Sequence, residues 1–388
     1  MSKQTLTTTT EADHDVDSSE AHRISTGQYP VHHLREVLEQ ASASAPAAAR
    51  GRFLVLTHRG PDPDALGACE GLRCLLSQGF GYEVVVATLG RIHRAENLAL
   101  VRTLDLDLAP YSSIDPEKFA GATLVDTQPE FGHTVLPKDI PIIAVFDHHV
   151  PPKPDAKNGN GSVKTRPPIL HRDVRLELGA TCSMIYEYLR DAGVEPDLKT
   201  ASALFCGVRY DTADLSRNAT ELDEEAYHET FRKADRDAIA KIGHPPLPRD
   251  YYLDLHQALT IARQHGPLVL ALLGKVDNPE SVAEMADFFL RMKGCSWVVV
   301  GGAFEGEYVL SLRTDYAFGK AYPLMRRVLD GVGSFGGHGH IAGGRITLDD
   351  GGESTIKCVE RVLRANALAV IGATDEEDSI PPEGRPLA

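Results

Sequence analysis

The sequence predicts an α/β fold: a parallel-sheet domain, joined by a helical connector to a smaller α/β domain. Three observations predict it. Short, continuous apolar runs at 53–56, 122–125, 140–146 and 203–208 read as strands buried on both faces of a parallel sheet. Each run is followed by acid or imidazole: Asp62 and Asp64, Asp126, Asp147-His148-His149, and Asp211. A second set of strand and helix patterns begins beyond a charged stretch at 221–265, punctuated by Pro245, Pro246 and Pro248.

The elements follow in order. Residues 1–28 hold few aliphatic side chains and are expected to be disordered. Val31, Leu34, Val37 and Leu38 have helical spacing, so a short helix completes an extension covering 1–45. The parallel-sheet domain is expected over 46–220. Within it the segment after Asp64 is a helix, with Leu66, Cys69, Leu72, Leu75 and Leu76 on one period and Gly79 at its end. A strand at 83–88 precedes a polar helical stretch, and 151–170 is a long loop behind the His pair. Gly179-Ala180-Thr181 opens another helix. The smaller domain is expected over 266–372: a strand at 268–273, a helix at 281–292, and a hairpin from 297–300 and 308–313. A helix at 321–330 leads into a glycine-dense segment, 333–344, and 373–388 is a disordered acidic tail.

Composition narrows the function. The 388 residues are 42% hydrophobic, enough for sizeable cores. A formal net charge of −15 argues against coating long nucleic acid, because phosphate neutralisation needs a basic face. It leaves room for a short nucleotide held by metals and a few arginines. Six scattered cysteines without a Cys-x-x-Cys read as buried thiols in a reducing compartment. No apolar run reaches the ~18 residues of a membrane span, and no signal-peptide core is present, so a cytoplasmic protein is expected.

In an open parallel sheet, groups beyond the carboxyl ends of the strands share one edge. Carboxylates gathered there stay ionised only beside cations, because unpaired charges in low dielectric are costly. Pro61 and Pro63 impose extended geometry on their predecessors, which would point Asp62 and Asp64 the same way. Asp64 would equally serve as a helix N-cap. Hard carboxylates with one or two imidazoles suit Mn²⁺ or Mg²⁺ better than zinc. Two such ions about 3.5–4 Å apart can share a hydroxide and clamp a phosphoryl transfer, and Asp126 is the natural bridging carboxylate. The glycine-dense segment reads as a phosphate cradle, with His338 or His340 adding a donor, or as a flexible turn. Arg313, ending a strand, suits a bidentate phosphate pair, with a surface ion pair as the structural alternative. His32-His33 are expected on the surface, and His93, His133, His171 and His244 to be structural or solvated.

On these residues the chain resembles the DHH phosphoesterase superfamily over roughly 50–365. Four segments match the family's motifs in order. They are His58-Arg-Gly-Pro-Asp62-Pro-Asp64-Ala-Leu-Gly, Val125-Asp126-Thr127-Gln128-Pro129, Phe146-Asp147-His148-His149 and Gly207-Val-Arg-Tyr-Asp211-Thr212. The second domain resembles the DHH-associated substrate-binding domain of the nanoRNase and RecJ branch. There Ser311-Leu-Arg313-Thr is similar to Ser-x-Arg-Ser, and Gly336-Gly337-His338 with Ala342-Gly343 is similar to Gly-Gly-Gly-His-x-x-Ala-Ala-Gly. Phe335 and Ile341 depart from that pattern.

The resemblance implies two manganese ions, with magnesium as a substitute. One would sit on His58, Asp62 and Asp126, the other on Asp64, Asp126, His148 and Asp211. His149 would face the scissile phosphate and Asp147 would orient the His pair. Arg313, Gly336, Gly337 and His338 would hold the far end of the substrate. The implied activity is hydrolysis of very short oligoribonucleotides, as in a nanoRNase, or of 3′-phosphoadenosine 5′-phosphate, by two-metal hydroxide attack. Long duplex nucleic acid and membranes are not expected partners, and a homodimer is left open. The alternatives are an exopolyphosphatase or pyrophosphatase-like hydrolase and, from another class, an inactive nucleotide-binding regulator.

Overall fold

A computed structural model of the chain describes residues 30–92, 94–150, 168–315, 318–329, 331–370 and 384–387. The expected N-terminal disorder, most of the 151–170 loop, His93, most of the acidic tail and the side chain of His338 lie outside the described residues. The chain forms two compact units, Met1–Leu89 with Leu106–Arg236, and Gly90–Asp105 with Asp237–Ala388.

The first unit begins with α1 (Pro30–Ser44), whose Val31, Leu34, Val37 and Leu38 are buried as their spacing requires. Next come β1 (Arg52–Leu56), α2 (Pro63–Cys74) and β2 (Glu83–Thr88). Helix α3 (Ala95–Thr103) follows in sequence but belongs to the second unit. The first unit resumes with β3 (Ala109–Pro110), β4 (Gly121–Val125), β5 (Ile142–Asp147) and β6 (His171–Val174). Helices α4 (Thr181–Asp191), α5 (Leu198–Asp211) and α6 (Glu221–Lys233) complete it.

Its six strands are parallel in the order β3-β2-β1-β4-β5-β6. Side chains alternate across the sheet. Phe53 and Val55 join one core cluster with α1, α2, α4 and α5, while Leu54 and Leu56 join another with Leu124 and Val145. Burial on both faces explains the unbroken apolar runs. The strand order reverses between β1 and β4, which puts a topological switch point at their carboxyl ends.

Two expectations fail here. Residues 203–208 are helical, inside α5, so Asp211 ends a helix and not a strand. A fully buried helix face and a buried strand share one apolar pattern, and the deciding signal is the cap: Asp197 accepts from Thr200 N at 2.8 Å. His33 is half-buried, its Nδ1 3.0 Å from Nδ1 of His171, whose Nε2 meets the Tyr188 hydroxyl at 2.8 Å. His32 is exposed. Strand β6 carries the polar sequence His-Arg-Asp-Val at the sheet edge, so no apolar run announced it.

In the second unit, α7 (Arg236–Gly243) starts at the division and α8 (Arg249–Ile261) packs on the sheet. The stretch 221–265 is thus shared out, since α6 packs on α4 and α5 of the first unit. Strands β7 (Arg263–His265) and β8 (Leu268–Lys275), helix α9 (Glu280–Leu290), and strands β9 (Trp297–Phe304) and β10 (Glu307–Thr314) follow. Then come α10 (Ala321–Val328), β11 (Ser334–His338), β12 (Ile341–Thr347), α11 (Glu353–Val370) and β13 (Arg385–Pro386). The sheet order is β11-β12-β10-β9-β8-β7-β13, antiparallel except between β8 and β9. The glycine-dense segment is a hairpin of β11 and β12. At Gly337 (φ +153°) a Cβ would come within 2.5 Å of Ala342 Cα, so the close strand approach requires glycine.

Candidate metal centre

All the acidic and imidazole groups expected around a metal meet at the switch point. His58 leaves β1, and its Nδ1 lies 3.0 Å from the Arg59 carbonyl. Asp62, extended at φ −90° and ψ −178°, caps α2 by accepting from Ala65 N at 3.0 Å. Asp64 already lies in the first helical turn. Asp62 and Asp64 are therefore not an extended pair, and the N-cap is Asp62 rather than Asp64. Helix α2 still brings both carboxylates to the cluster.

Asp64 is fully buried. Its two oxygens accept the first N–H groups of α4, Thr181 N at 2.7 Å and Cys182 N at 2.9 Å. A helix N-terminus suits a carboxylate, because its first N–H groups lack partners within the helix. Asp126 follows β4 with φ +56°, a left-handed conformation uncommon outside glycine. Its N–H donates to Phe146 O at 2.8 Å, and its Oδ1 accepts from the Thr181 hydroxyl at 2.8 Å.

Among the described residues, three groups of candidate ligands have their donor atoms within 4.8 Å of one another: His58, Asp62 and Asp126; Asp64, His148 and Asp211; and Asp126, His148 and His149. Asp126 is common to the first and third groups, with Oδ2 3.6 Å from His58 Nε2 and Oδ1 3.7 Å from His148 Nε2. His148 Nε2 also lies 3.2 Å from Asp211 Oδ2 and 3.9 Å from Asp64 Oδ2. Its Nδ1 is 3.0 Å from Leu178 O, a carbonyl that can only accept, so Nδ1 carries a proton and Nε2 is the nitrogen turned to the carboxylates. That Nε2 is buried and makes no well-formed hydrogen bond. His149 Nδ1 sits 2.8 Å from Asp147 Oδ1, nearer than the 3.7 Å to Asp126.

The electrostatics describe a cluster short of positive charge. Burial, then Asp211 and Asp126, push Asp62 up to about 6, and burial with Asp126 and Asp211 holds Asp64 well above the carboxylate range. Burial opposes charge on His58 and His149, but Asp126 and Asp147 respectively outweigh it and raise both to about 9. Asp126 is pressed low: burial works against ionisation, and the nearby His58 and the other two imidazoles overcome it. Protons occupy places that a divalent cation would fill more effectively. An orphaned buried imidazole nitrogen amid carboxylate oxygens fits such a cation, with its oxygen and nitrogen donor set.

Two residues around this cluster make contacts that their spacing does not announce. Thr181 opens α4 as expected, and its N–H and hydroxyl also engage Asp64 and Asp126. The His133 ring lies edge-on to His58 at 5.5 Å and stacks on Phe131 at 5.5 Å, a structural contact in keeping with its expected role. Only the partner elements, distant in sequence, reveal these roles.

The residues expected to bind substrate lie in the second unit. Arg313 is buried, its Nε donating to Asp287 at 2.5 Å and its Nη1 to Ser311 Oγ at 2.7 Å. Arg94 donates to the other oxygen of Asp287 at 2.9 Å, so two guanidinium groups share one carboxylate. Gly336 and Gly337 lie in β11 beside Arg313's partner strand β12, and His340 Nδ1 lies 3.1 Å from Thr314 Oγ1.

A parallel sheet with an acid-and-imidazole cluster at its switch point defines an α/β protein that carries a candidate metal centre. No family model matches the chain. It is 30% identical over 332 residues to an uncharacterised protein of Methanocaldococcus jannaschii, covering 84% of this chain and 65% of that one. It is 27% identical over 175 residues to a probable manganese-dependent inorganic pyrophosphatase of Streptococcus suis, covering 45% of this chain and 52% of that one. The chain thus spans between half and two thirds of the length of these relatives. The fold is that of an exopolyphosphatase-related protein from Bacteroides fragilis, with a TM-score of 0.62 at 15% identity, covering 88% of this chain and 98% of that structure. The four motifs that resemble those of the DHH superfamily thus lie, in order, on the same fold as this exopolyphosphatase-related protein.

Proposed function

We propose that the protein is a metal-dependent phosphoesterase acting on short oligoribonucleotides or a nucleotide bisphosphate such as 3′-phosphoadenosine 5′-phosphate. The observation that carries this reading is Asp126, whose two oxygens face different imidazoles in two ligand groups. His58, Asp62 and Asp126 would hold one ion, and Asp64, Asp126, His148 and Asp211 the other, manganese by preference. When bound, the ions supply charge neutralisation for an in-line phosphoryl transfer. The chain's own groups do the rest. Thr181 and Cys182 fix Asp64, Leu178 O fixes His148 Nδ1, and Asp147 turns His149 so that Nε2 meets the reacting phosphate. Arg313, held by Asp287, grips a phosphate remote from the reaction, with Gly336, Gly337 and His338 beside it.

A second reading, hydrolysis of pyrophosphate or polyphosphate, is favoured by the Streptococcus suis relative. Turnover with Mn²⁺ against dinucleotides, longer oligomers, the bisphosphate, pyrophosphate and polyphosphate separates the two. Dependence on a nucleoside supports the first reading, and indifference to a base supports the second. No turnover of any of them, with metal bound, would leave a nucleotide-binding regulator.

A further inference from the structure

We infer that Gln128, backed by Arg172, is the positioning residue that sets which nitrogen of His149 meets the substrate. This deepens the phosphoesterase reading and rests on it for the kinetic part only. Gln128 is fully buried and the phosphoesterase reading gives it no role. Its Nε2 lies 2.6 Å from Asp147 Oδ2 and 2.8 Å from the His149 carbonyl oxygen. Its Oε1 accepts from Arg172 Nη2 at 2.6 Å, and Arg172 is held in turn by Glu130 through two contacts of 3.0 Å.

The chemistry of the partners allows one arrangement. A carboxylate and a carbonyl only accept, so the Gln128 amino group must face them. A guanidinium only donates, so the amide oxygen must face Arg172. The amide cannot flip without losing three hydrogen bonds. Asp147 is fully buried and has both oxygens engaged, Oδ2 by Gln128 and Oδ1 by His149 Nδ1. With Oδ2 fixed by Gln128, Asp147 presents Oδ1 to His149 Nδ1. Nδ1 of His149 is therefore the nitrogen committed to Asp147, and the substrate-facing role falls to Nε2. The same amide holds the His149 backbone through its carbonyl, so one residue sets both the committed nitrogen and the place of the ring.

The relay joins three chain segments: the turn after β4, the end of β5, and edge strand β6. Arg172 is what makes a lone glutamine specific. Without it, the amide oxygen would be an unpaired buried acceptor, and the amide would be free to rotate away from Asp147.

The test uses the full chain loaded with Mg²⁺, which is diamagnetic, and ¹⁵N-labelled histidine. The Nδ1–H proton of His149 is identified by its disappearance in His149→Ala. In Gln128→Leu that signal is expected to shift and broaden. On the best substrate, kcat falls about 10- to 100-fold, the usual loss for a group supporting an active-site ligand. KM stays within about threefold and bound metal is unchanged. Arg172→Ala, at a partly exposed side chain, gives smaller changes in the same direction and guards against a Gln128 variant that does not fold. Gln128→Glu keeps an acceptor for Arg172 but loses both donors, so it resembles Gln128→Leu. An unchanged His149 signal in Gln128→Leu or Gln128→Glu and in Arg172→Ala overturns the inference, as does loss of metal with that signal intact. If the wild type hydrolyses no phosphoester, the phosphoesterase reading fails by itself while the resonance still decides the positioning role.

Discussion

The hydroxyl of Thr181 donates to Asp126 Oδ1 across 2.8 Å, while the N–H of the same residue donates to Asp64 Oδ2 across 2.7 Å. One residue at the start of α4 thus ties together carboxylates that follow β4 and β1. Asp126 stands between the ligand groups, and Thr181 sets the direction in which one of its oxygens points.

Asp126→Ala is expected to abolish turnover and lose at least one ion, because among the described residues Asp126 is the carboxylate common to the group with His58 and the group with His148 and His149. Thr181→Val keeps the N–H to Asp64 and removes only the hydroxyl. It should weaken binding of the more loosely held ion by about 10- to 100-fold, the effect of losing a group that orients a ligand. Metal titration by calorimetry checks both. Near-normal stoichiometry and activity in Asp126→Ala would refute the shared role.

His148 and His149 should separate cleanly. His148→Ala is expected to lose an ion, since its buried Nε2 lies among three carboxylates. His149→Ala should keep both ions and lose most of its rate, because its Nδ1 is committed to Asp147. Elemental analysis of the purified variants decides, and the opposite pattern would exchange their roles.

The metal-free protein should lose stability as pH rises from about 6.5 to about 9. Burial disfavours charge on His58 and His149, but Asp126 and Asp147 hold both near 9 in the folded chain, above the usual 6.5. A group whose pKa is raised by folding stabilises fully below its unfolded value, and loses that contribution as pH climbs through the folded one. Added Mg²⁺ should therefore raise Tm more at about pH 8.5 than at about pH 6.5, as it takes the place of those protons. Thermal unfolding with and without chelator measures this. A metal effect that shrinks with rising pH would contradict it.

Arg313→Ala is expected to lower kcat/KM for the preferred nucleotide by roughly tenfold to a thousandfold. That is the span of a charge-assisted pair worth ~1.5–3 kcal/mol plus some misalignment. Bis-p-nitrophenyl phosphate, with no far end to grip, should lose much less. Asp287→Ala should act in the same direction, because Asp287 orients the guanidinium. Equal losses on both substrates, with metal retained, would place Arg313 beside the scissile phosphate.

Much of the site was legible in sequence because parallel strands bury both faces. The runs at β1, β4 and β5 are continuous, and the residue after each must face the carboxyl edge of the sheet. The run before Asp211 misled, because a buried helix face is apolar for the same reason. Asp62 and Asp64 were rightly brought together but by the wrong geometry: a cap and a first helical turn, not one extended face.

By itself the sequence determined the α/β class, the candidate ligand types and their order along the chain, since burial pattern and donor chemistry are local properties. Tertiary structure alone decided which of those groups meet. Helices α2 and α5 approach so closely that a Cβ on Gly207 would lie 3.0 Å from Asp64 Cα, which draws Asp211 towards Asp64. The start of α4 supplies Thr181 and Cys182, and edge strand β6 supplies Arg172 to Gln128. Each of these contacts joins segments more than 40 residues apart. The physical reason is that a hydrogen bond or close packing between distant segments leaves no periodicity or spacing in the chain, only a requirement that the finished fold satisfies.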